Sequence, residues 1–484
     1  MSIQKKLNYP LWQGPYFVFK CFLILLKLGR SGVFSLIVNN DSFNKKTIFL
    51  FKLVDFIFYK KKEEHVGSLL LKCLTNLGPG FIKFGQALST RPDLIGVETC
   101  EYLKKLQDDI KPFPGSIAKQ IIEAETKESV DNIFSSFEEK PIASASVAQV
   151  HKAIFKNGEI VAVKILRPNI EKLLFNDFRF FYWFAKCLEL CVPNFKRFKL
   201  SKNVEVLSEI SLNELDLTME AAAAEELSEN FKDHLNYKVP KIYWEITSTN
   251  VLVLEYVDGI RIDDLETLKK NNHNIRKITE TGTEVFFLQV FRDGFFHGDM
   301  HPGNILINDD GILVPIDFGI MGRLSNKDRQ FLALLLVHLL NKNYKKVVEI
   351  HSQANMLGEN ISHDHLAQAI RAISTPILNK PIGEVSLAKL LGQILTLSKE
   401  FNIEVQPQFT LLQKTMLMAE GTTRQINPNI NMWNLSRPLI EKWINEADDP
   451  FKIFEDWVQK NKLALLKIPE LIEKFDEFLS KKMN

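Results

Sequence analysis

Residues Phe295 to Arg323 read FFHGDMHPGNILINDDGILVPIDFGIMGR, and no other stretch restricts this chain as tightly. A carboxylate, Asp299, is followed five residues later by an amide, Asn304. After two short apolar runs a second carboxylate, Asp317, opens an Asp-Phe-Gly triplet. Moving a phosphoryl group asks a protein mainly to position reactants and neutralise charge. One carboxylate orients the attacking hydroxyl or water, while an amide and a second carboxylate hold Mg²⁺ on the nucleotide phosphates. Mg²⁺ suits such a set because it is a hard cation that takes few protein oxygens besides phosphates and waters. In that reading Asp299 orients the nucleophile, and Asn304 and Asp317 bind the metal. A polar surface hairpin explains the stretch less well, because three ligand types fall in register over a short span.

A length of 484 residues suits two or three globular layers, and 45% apolar with 25% charged residues is ordinary for a fold with a real core. The net charge of +2 gives no general case for nucleic-acid binding. Cys21, Cys73, Cys100, Cys187 and Cys191 form no paired framework, which points to a reducing compartment. Cys187 and Cys191 have helical i,i+4 spacing but no neighbours to complete a zinc site, so they are expected to be core thiols. Residues Leu7 to Val38 and Thr47 to Tyr59 are apolar and aromatic, yet basic or acidic residues interrupt both. No charge-free run of 18 residues exists, so no membrane span is expected. These segments resemble helices that lie in a membrane interface, with packing on the main domain as the equal alternative.

Along the chain, residues 1–110 read as a helical leader. Within it a helix starts at Gly78-Pro79 and stops by Pro92, putting Lys83 and Gln86 on one face. Phe113 to Val130 reads as an amphipathic helix. Ala143 to Leu166 reads as two alternating strands joined by the turn at Asn157-Gly158. The second of these, VAVK, carries Lys164, a point charge suited to phosphates. Helical pattern resumes over Asn176 to Glu189, and one long helix is expected from about Ser201 to Asp233. Glu220 on it is the candidate carboxylate to fix Lys164. Val251 to Gly259 reads as a strand and Gly turn, suited to a hinge between two lobes. Ile275 to Asp293 reads as a helix closed by Gly294, and Phe331 to Leu340 as a buried core helix.

The segment expected to cover the phosphates comprises Ile142, Ala143, Ser144, Ala145, Ser146, Val147, Ala148, Gln149 and Val150. Glycine is usual in such a loop because its backbone approaches the phosphates closely. Alanine restricts φ where glycine does not, so this loop is expected to be stiffer.

Taken in order, Lys83-Phe84-Gly85-Gln86, the Ala/Ser loop, Lys164, Glu214-Leu215-Asp216, HGDMHPGN and Asp317-Phe318-Gly319 resemble the UbiB family of atypical kinase-like proteins, which support ubiquinone biosynthesis. The resemblance runs from about Leu71 to Arg323. It implies an α+β, protein-kinase-like two-lobed fold with an N-terminal helical extension and a helical C-terminal tail. Residues 111–258 would form the N-lobe and 259–484 the helical C-lobe. Asp299 would be the catalytic base, Asn304 and Asp317 the metal ligands, and Lys164 with Glu220 the nucleotide clamp. The Lys83 to Gln86 helix would fold over the site of a protein substrate, with Lys83 and Gln86 near Glu214 and Asp216 in a regulatory role. On an ideal helix Glu214 and Asp216 point to different sides, whereas Asp216 and Glu220 share a face.

The expected activity is that of an ATP-binding (or ADP-binding), Mg²⁺-dependent atypical kinase or ATPase serving ubiquinone biosynthesis. A membrane lipid, a quinone precursor and enzymes of that pathway are the expected partners, and nucleic acid is not. Peripheral attachment at the cytoplasmic face of a bacterial inner membrane is expected, since Asp456 to Asn484 is amphipathic and charged. Two alternatives stand beside it: a choline- or aminoglycoside-type phosphotransferase, and a nucleotide-gated lipid-binding scaffold without turnover. His297 is expected to brace the catalytic loop.

Overall fold

The computed structural model describes residues 14–30, 65–89, 95–106, 111–191, 199–354, 356–357, 361–379, 385–401, 403, 406–428, 430, 432, 435–436, 438–440 and 443. The expected interface segment at 47–59, the flanks of the one at 7–38, and the C-terminal stretch 456–484 lie outside these. The chain divides into two compact units: Met1–Glu226 with Pro240–Val257, and Leu227–Val239 with Asp258–Asn484.

The first unit opens with helices α1 (Gly14–Arg30), α2 (Val66–Leu77), α3 (Pro79–Ser89) and α4 (Val97–Lys104). Phe17, Ile24, Leu70, Leu74, Phe81, Leu103 and Phe180 form their common core. The start of α3 at Pro79 agrees with the sequence. Asp177 lies against its first turn, accepting a hydrogen bond from Gly80 N at 3.1 Å, and a Cβ at residue 80 would overlap the Asp177 side chain. Helix α5 (Gly115–Thr126), the short α6 (Val130–Ile133) and strand β1 (Phe134–Phe137) follow.

Strands β2 (Ala143–Ser144), β3 (Ala148–Phe155), β4 (Ile160–Leu166) and β5 (Val251–Glu255) complete an antiparallel sheet in the order β1-β3-β4-β5, with β2 also on β3. The first half of the expected Ala/Ser strand is thus a separate short strand that turns back at residues 145–147. Side chains alternate across a strand. Val161, Val163 and Ile165 pack with Ile122 of α5, whereas Ala162 and Leu166 pack on the opposite face with Leu174, Phe178, Leu217 and Ala221. Period two therefore puts Lys164 on that second face. It is covered by helices α7 (Ile170–Cys191) and α9 (Leu217–Asn230), with α8 (Leu200–Asn213) between them in sequence. Cys187 is half-buried there.

The expected single helix from Ser201 to Asp233 is two, α8 and α9, broken at Glu214-Leu215-Asp216. Asp216 is a weak helix former that favours caps, but Glu214 and Leu215 are strong formers, so propensity alone does not locate the break. The cause is local: the Asp216 carboxylate accepts from Thr218 N at 3.1 Å and Thr218 Oγ1 at 2.5 Å, an N-cap that starts α9 afresh.

The second unit holds β6 (Ile260–Arg261), α10 (Leu265–Lys270), α11 (Ile275–Phe287), a π-helical turn (Leu288–Asp293), and β7 (Phe295–His297). The expected helix to Asp293 thus changes pitch in its last turns, and Gly294 closes it at φ 65°. A 3₁₀ turn (Pro302–Asn304) leads into β8 (Ile305–Ile307), then β9 (Leu313–Pro315) and β10 (Met321–Arg323). Helices α12 (Asn326–Leu340), α13 (Tyr344–Gln353), α14 (His363–Leu378), α15 (Leu387–Glu400) and α16 (Pro407–Ile426) complete the described part. Leu332, Leu335, Leu336 and Leu339 of α12 are buried as expected, with Phe286, Phe291, Leu390, Leu412 and Met416. The fold is α+β, with a helical C-terminal region. No helix among the described residues is long and apolar enough to cross a membrane.

Candidate functional site

Two small ladders build the loop site of the second unit. β7 pairs with β10, placing His297 opposite Met321, and β8 pairs with β9, placing Ile305 opposite Pro315. The loops 298–304 and 316–320 leave these ladders side by side. Gly298 N donates to Ile320 O at 2.8 Å, and Ile316 N to Asn304 O at 3.0 Å. Asp299, Asn304 and Asp317 are therefore brought together by pairing that the alternating apolar runs dictate.

Side chains fix the backbone around Asp299. His297 Nδ1 accepts from Asp299 N at 3.1 Å, so its proton sits on Nε2, which donates to Asp317 O at 2.6 Å. Burial holds this imidazole below the usual histidine pKa, with the charges of Asp317 and Asp299 opposing that effect. Asn304 Nδ2 donates to Asp299 O at 3.1 Å. The Asn304 amide thereby keeps Oδ1 as the atom able to serve a cation. The Asp317 carboxylate accepts from Gly319 N at 3.0 Å. By contrast, Asp299 Oδ1 is buried and accepts no hydrogen bond among the described residues. A buried carboxylate oxygen without a donor is costly unless a ligand, a metal or a substrate proton meets it.

His297 is the loop brace expected from sequence. Gln289 is a brace the sequence did not reveal: from the π-helical turn its Oε1 accepts from His297 N at 2.9 Å. Irregular turns of this kind often mark functional regions, but the change of pitch is not visible in the sequence. His301 accepts from Gly303 N at 3.2 Å and caps the 3₁₀ turn.

In the first unit, Lys164 Nζ donates to Glu220 Oε1 at 2.6 Å, both side chains largely out of solvent. Glu220 lies in the first turn of α9, where the helix dipole favours an anion. Lys83 pairs with Glu214. Gln86 instead donates to Leu106 O at 3.0 Å, and Asp216 is occupied with its cap. Of the four residues expected near one another, Lys83 and Glu214 form an ion pair, while Gln86 and Asp216 bond to Leu106 and Thr218.

The Ala/Ser segment is pinned by a residue that sequence reasoning missed, Arg167. Its guanidinium donates to Ala145 O at 2.9 and 3.0 Å, to Ser144 Oγ at 2.9 Å and to Lys111 O at 3.1 Å. Its N donates to Val147 O at 2.8 Å. Gln149 needs a correction as a ligand through its side chain. That side chain is fully buried, with Oε1 accepting from Phe113 N at 3.0 Å and Nε2 donating to Phe113 O at 3.2 Å and to His151. Ile142, Ala143 and Ala145 are exposed, Ser144 and Val150 partly so, whereas Ser146, Val147 and Ala148 are buried.

Known proteins resemble this chain in the same terms. The ABC1 atypical kinase-like domain matches residues 105–351, and the UbiB helical domain matches residues 370–431. A protein of Aliivibrio fischeri named probable protein kinase UbiB is 38% identical over 417 residues, 85% of this chain and 77% of that one. The protein of that name from Shewanella denitrificans is 37% identical over 433 residues, 88% and 79% of the two chains. The one from Pseudomonas paraeruginosa is 38% identical over 405 residues, 83% and 76%. A solved chain from Mycobacterium tuberculosis, Rv3197 in complex with erythromycin, shares 22% identity over 83% of this chain and 100% of that chain, with a TM-score of 0.49. Together with the paired loops, the domain matches define an atypical kinase-like protein. Within that class the chain belongs to the UbiB family.

Proposed function

We propose that this protein is an ATP-binding, Mg²⁺-dependent atypical kinase or ATPase that supports ubiquinone biosynthesis at a membrane. The observation that carries the reading is Asp299 Oδ1, buried without a donor among the described residues while the backbone on either side of it is held by His297 and Asn304. Such a group is prepared to accept a proton or hydrogen bond from an attacking hydroxyl or water, and needs no reorganisation to do so. Asn304 Oδ1 and the Asp317 carboxylate are the oxygens that would hold Mg²⁺. Bound there, the cation supplies charge neutralisation at the phosphate oxygens. Lys164, held by Glu220, would bind the α- and β-phosphates. The Ala/Ser segment would offer backbone N–H groups and the Ser144 hydroxyl.

Peripheral attachment draws support from α1. Phe17 and Ile24 are buried and Lys20 turns inward to Asp177, while Tyr16, Phe19 and Phe22 on the outer side are 62%, 60% and 52% exposed. An exposed aromatic face of this kind suits the headgroup region of a bilayer.

The test is phosphate release from Mg²⁺-ATP by the full chain, with and without anionic liposomes and a phenolic quinone precursor. Turnover is expected, and Asp317→Asn should reduce it by orders of magnitude while leaving the fold intact. Tight nucleotide binding with no phosphate release under any of these conditions would replace the enzyme with a nucleotide-gated scaffold. Liposomes should sediment the protein at low salt and release it at high salt.

A further inference from the structure

One contact to the Asp299 loop comes from outside the kinase-like domain. Helix α16 belongs to the UbiB helical domain, and its Thr415 is fully buried. Thr415 Oγ1 lies 2.9 Å from the carbonyl oxygen of Gly298, 117 positions away in sequence. One turn earlier on α16, Leu411 stands 3.3 Å from where a Cβ at residue 298 would sit, so helix and loop are in direct contact. The peptide joining Gly298 to Asp299 is then gripped from two sides. Its carbonyl faces the Thr415 hydroxyl, and its N–H, that of Asp299, faces the His297 ring.

The same hydroxyl lies 3.0 Å from Leu411 O, the ordinary back-bond of a threonine to the carbonyl four residues earlier in its own helix. A hydroxyl carries one proton and divides it between the two carbonyls. The competing possibility is therefore definite: Thr415 satisfies its own helix and Gly298 is a bystander.

We infer that Thr415 is a positioning residue for the Asp299 loop, and that through it the helical domain sets the orientation of the Asp299 carboxylate. The inference rests on the reading of Asp299 as the group that meets the nucleophile. Losing a donor that orients rather than binds leaves nucleotide affinity in place and slows the chemical step. A small angular error in a positioned group suffices for that.

The test uses the full-length protein and three variants. Thr415→Val keeps the shape and removes the donor, Thr415→Ser keeps the donor, and Thr415→Cys weakens it. Two measurements are made: kcat and KM for Mg²⁺-ATP hydrolysis, and amide hydrogen exchange in the peptide spanning 295–304. For Thr415→Val, kcat should fall by about tenfold, the size of one lost hydrogen bond, with KM within about twofold of the parent. Exchange in that peptide should quicken while the rest of the chain is unchanged. Thr415→Ser should restore both, and Thr415→Cys, the reserve variant should valine prevent folding, should fall between. Parental kcat and exchange in Thr415→Val would overturn the inference in favour of the helix back-bond. Equal losses in valine and serine variants, with exchange raised throughout the chain, would overturn it in favour of packing. If the parent hydrolyses no ATP yet exchange still separates valine from serine, the loop contact stands and the enzymatic reading falls.

Discussion

The His297 ring ties Asp299 to Asp317: it accepts from the first residue's N–H at 3.1 Å and donates to the second's carbonyl at 2.6 Å. Both bonds need the neutral ring protonated at Nε2. A second proton would place a donor against the Asp299 N–H and break one side of the bridge.

A pH dependence of stability follows. Burial holds His297 below its ordinary pKa of 6.5, and His151, His234 and His351 are depressed by burial as well. Above pH 6.5 native and unfolded chains both carry neutral rings, and the native state has its full advantage. As pH falls below 6.5 the unfolded chain takes up protons that the native chain refuses, and stability declines. Urea midpoints should therefore drop between pH 7.5 and pH 5.5, and His297→Ala should make that slope shallower. At neutral pH the same variant should lose about 1–3 kcal/mol, the cost of leaving two backbone groups unpaired. An unchanged slope would show that His297 titrates alike in both states.

Removing one member of the Lys164–Glu220 pair should cost more than removing both. The charges are 2.6 Å apart with side chains 14% and 6% exposed. Lys164→Met leaves Glu220 buried without this counter-charge, a loss of about 3–5 kcal/mol, whereas replacing both with apolar residues is close to neutral. In chemical denaturation, Lys164→Met/Glu220→Met should be more stable than either single variant. Nucleotide affinity should be lost in all three.

How far the sequence revealed this molecule depended on how local each cause is. Asp299, Asn304 and Asp317 were readable because short strand pairs bring together residues close in sequence. Lys164 and Glu220 were readable from strand period and helix pattern, though 56 positions apart. The break before α9 was not, since the helical pattern runs through it and the Asp216 cap on Thr218 N restarts the helix. The burial of the Gln149 side chain was not legible either, because only the fold brings Phe113 to meet it. Gln289 and Thr415 sit in segments whose pattern is that of any core helix; their partners are set by tertiary structure alone.

The capping role of Asp216 separates its two possible duties. Asp216→Asn keeps an oxygen able to accept from Thr218 N and should leave the melting temperature within about 1 °C. Asp216→Ala should cost about 1 kcal/mol, a drop of a few degrees. If alanine and asparagine destabilise equally, the carboxylate charge matters more than the cap.

Arg167 gives the sharpest test of how the Ala/Ser segment works without glycine. It directly follows β4 and precedes Pro168, and a residue before proline favours extended backbone, which carries the chain on from the strand. From there its planar fork reaches Ala145 O with two nitrogens while also engaging Ser144 Oγ and Lys111 O. Burial lowers its pKa from the usual guanidinium value, and the group remains charged. Lysine offers one ammonium and cannot reproduce this fork. Arg167→Lys should therefore leave the sheet folded, since β3 and β4 pair over seven residue positions independently of it. It should nonetheless free residues 144–147 and weaken nucleotide binding by about tenfold, as expected for losing one or two charge-assisted bonds that preorganise a loop. Calorimetric titration with Mg²⁺-ATP, beside exchange rates for residues 142–150, checks both halves. Faster exchange with unchanged affinity would mean that the segment is held by Arg167 but does not touch the nucleotide.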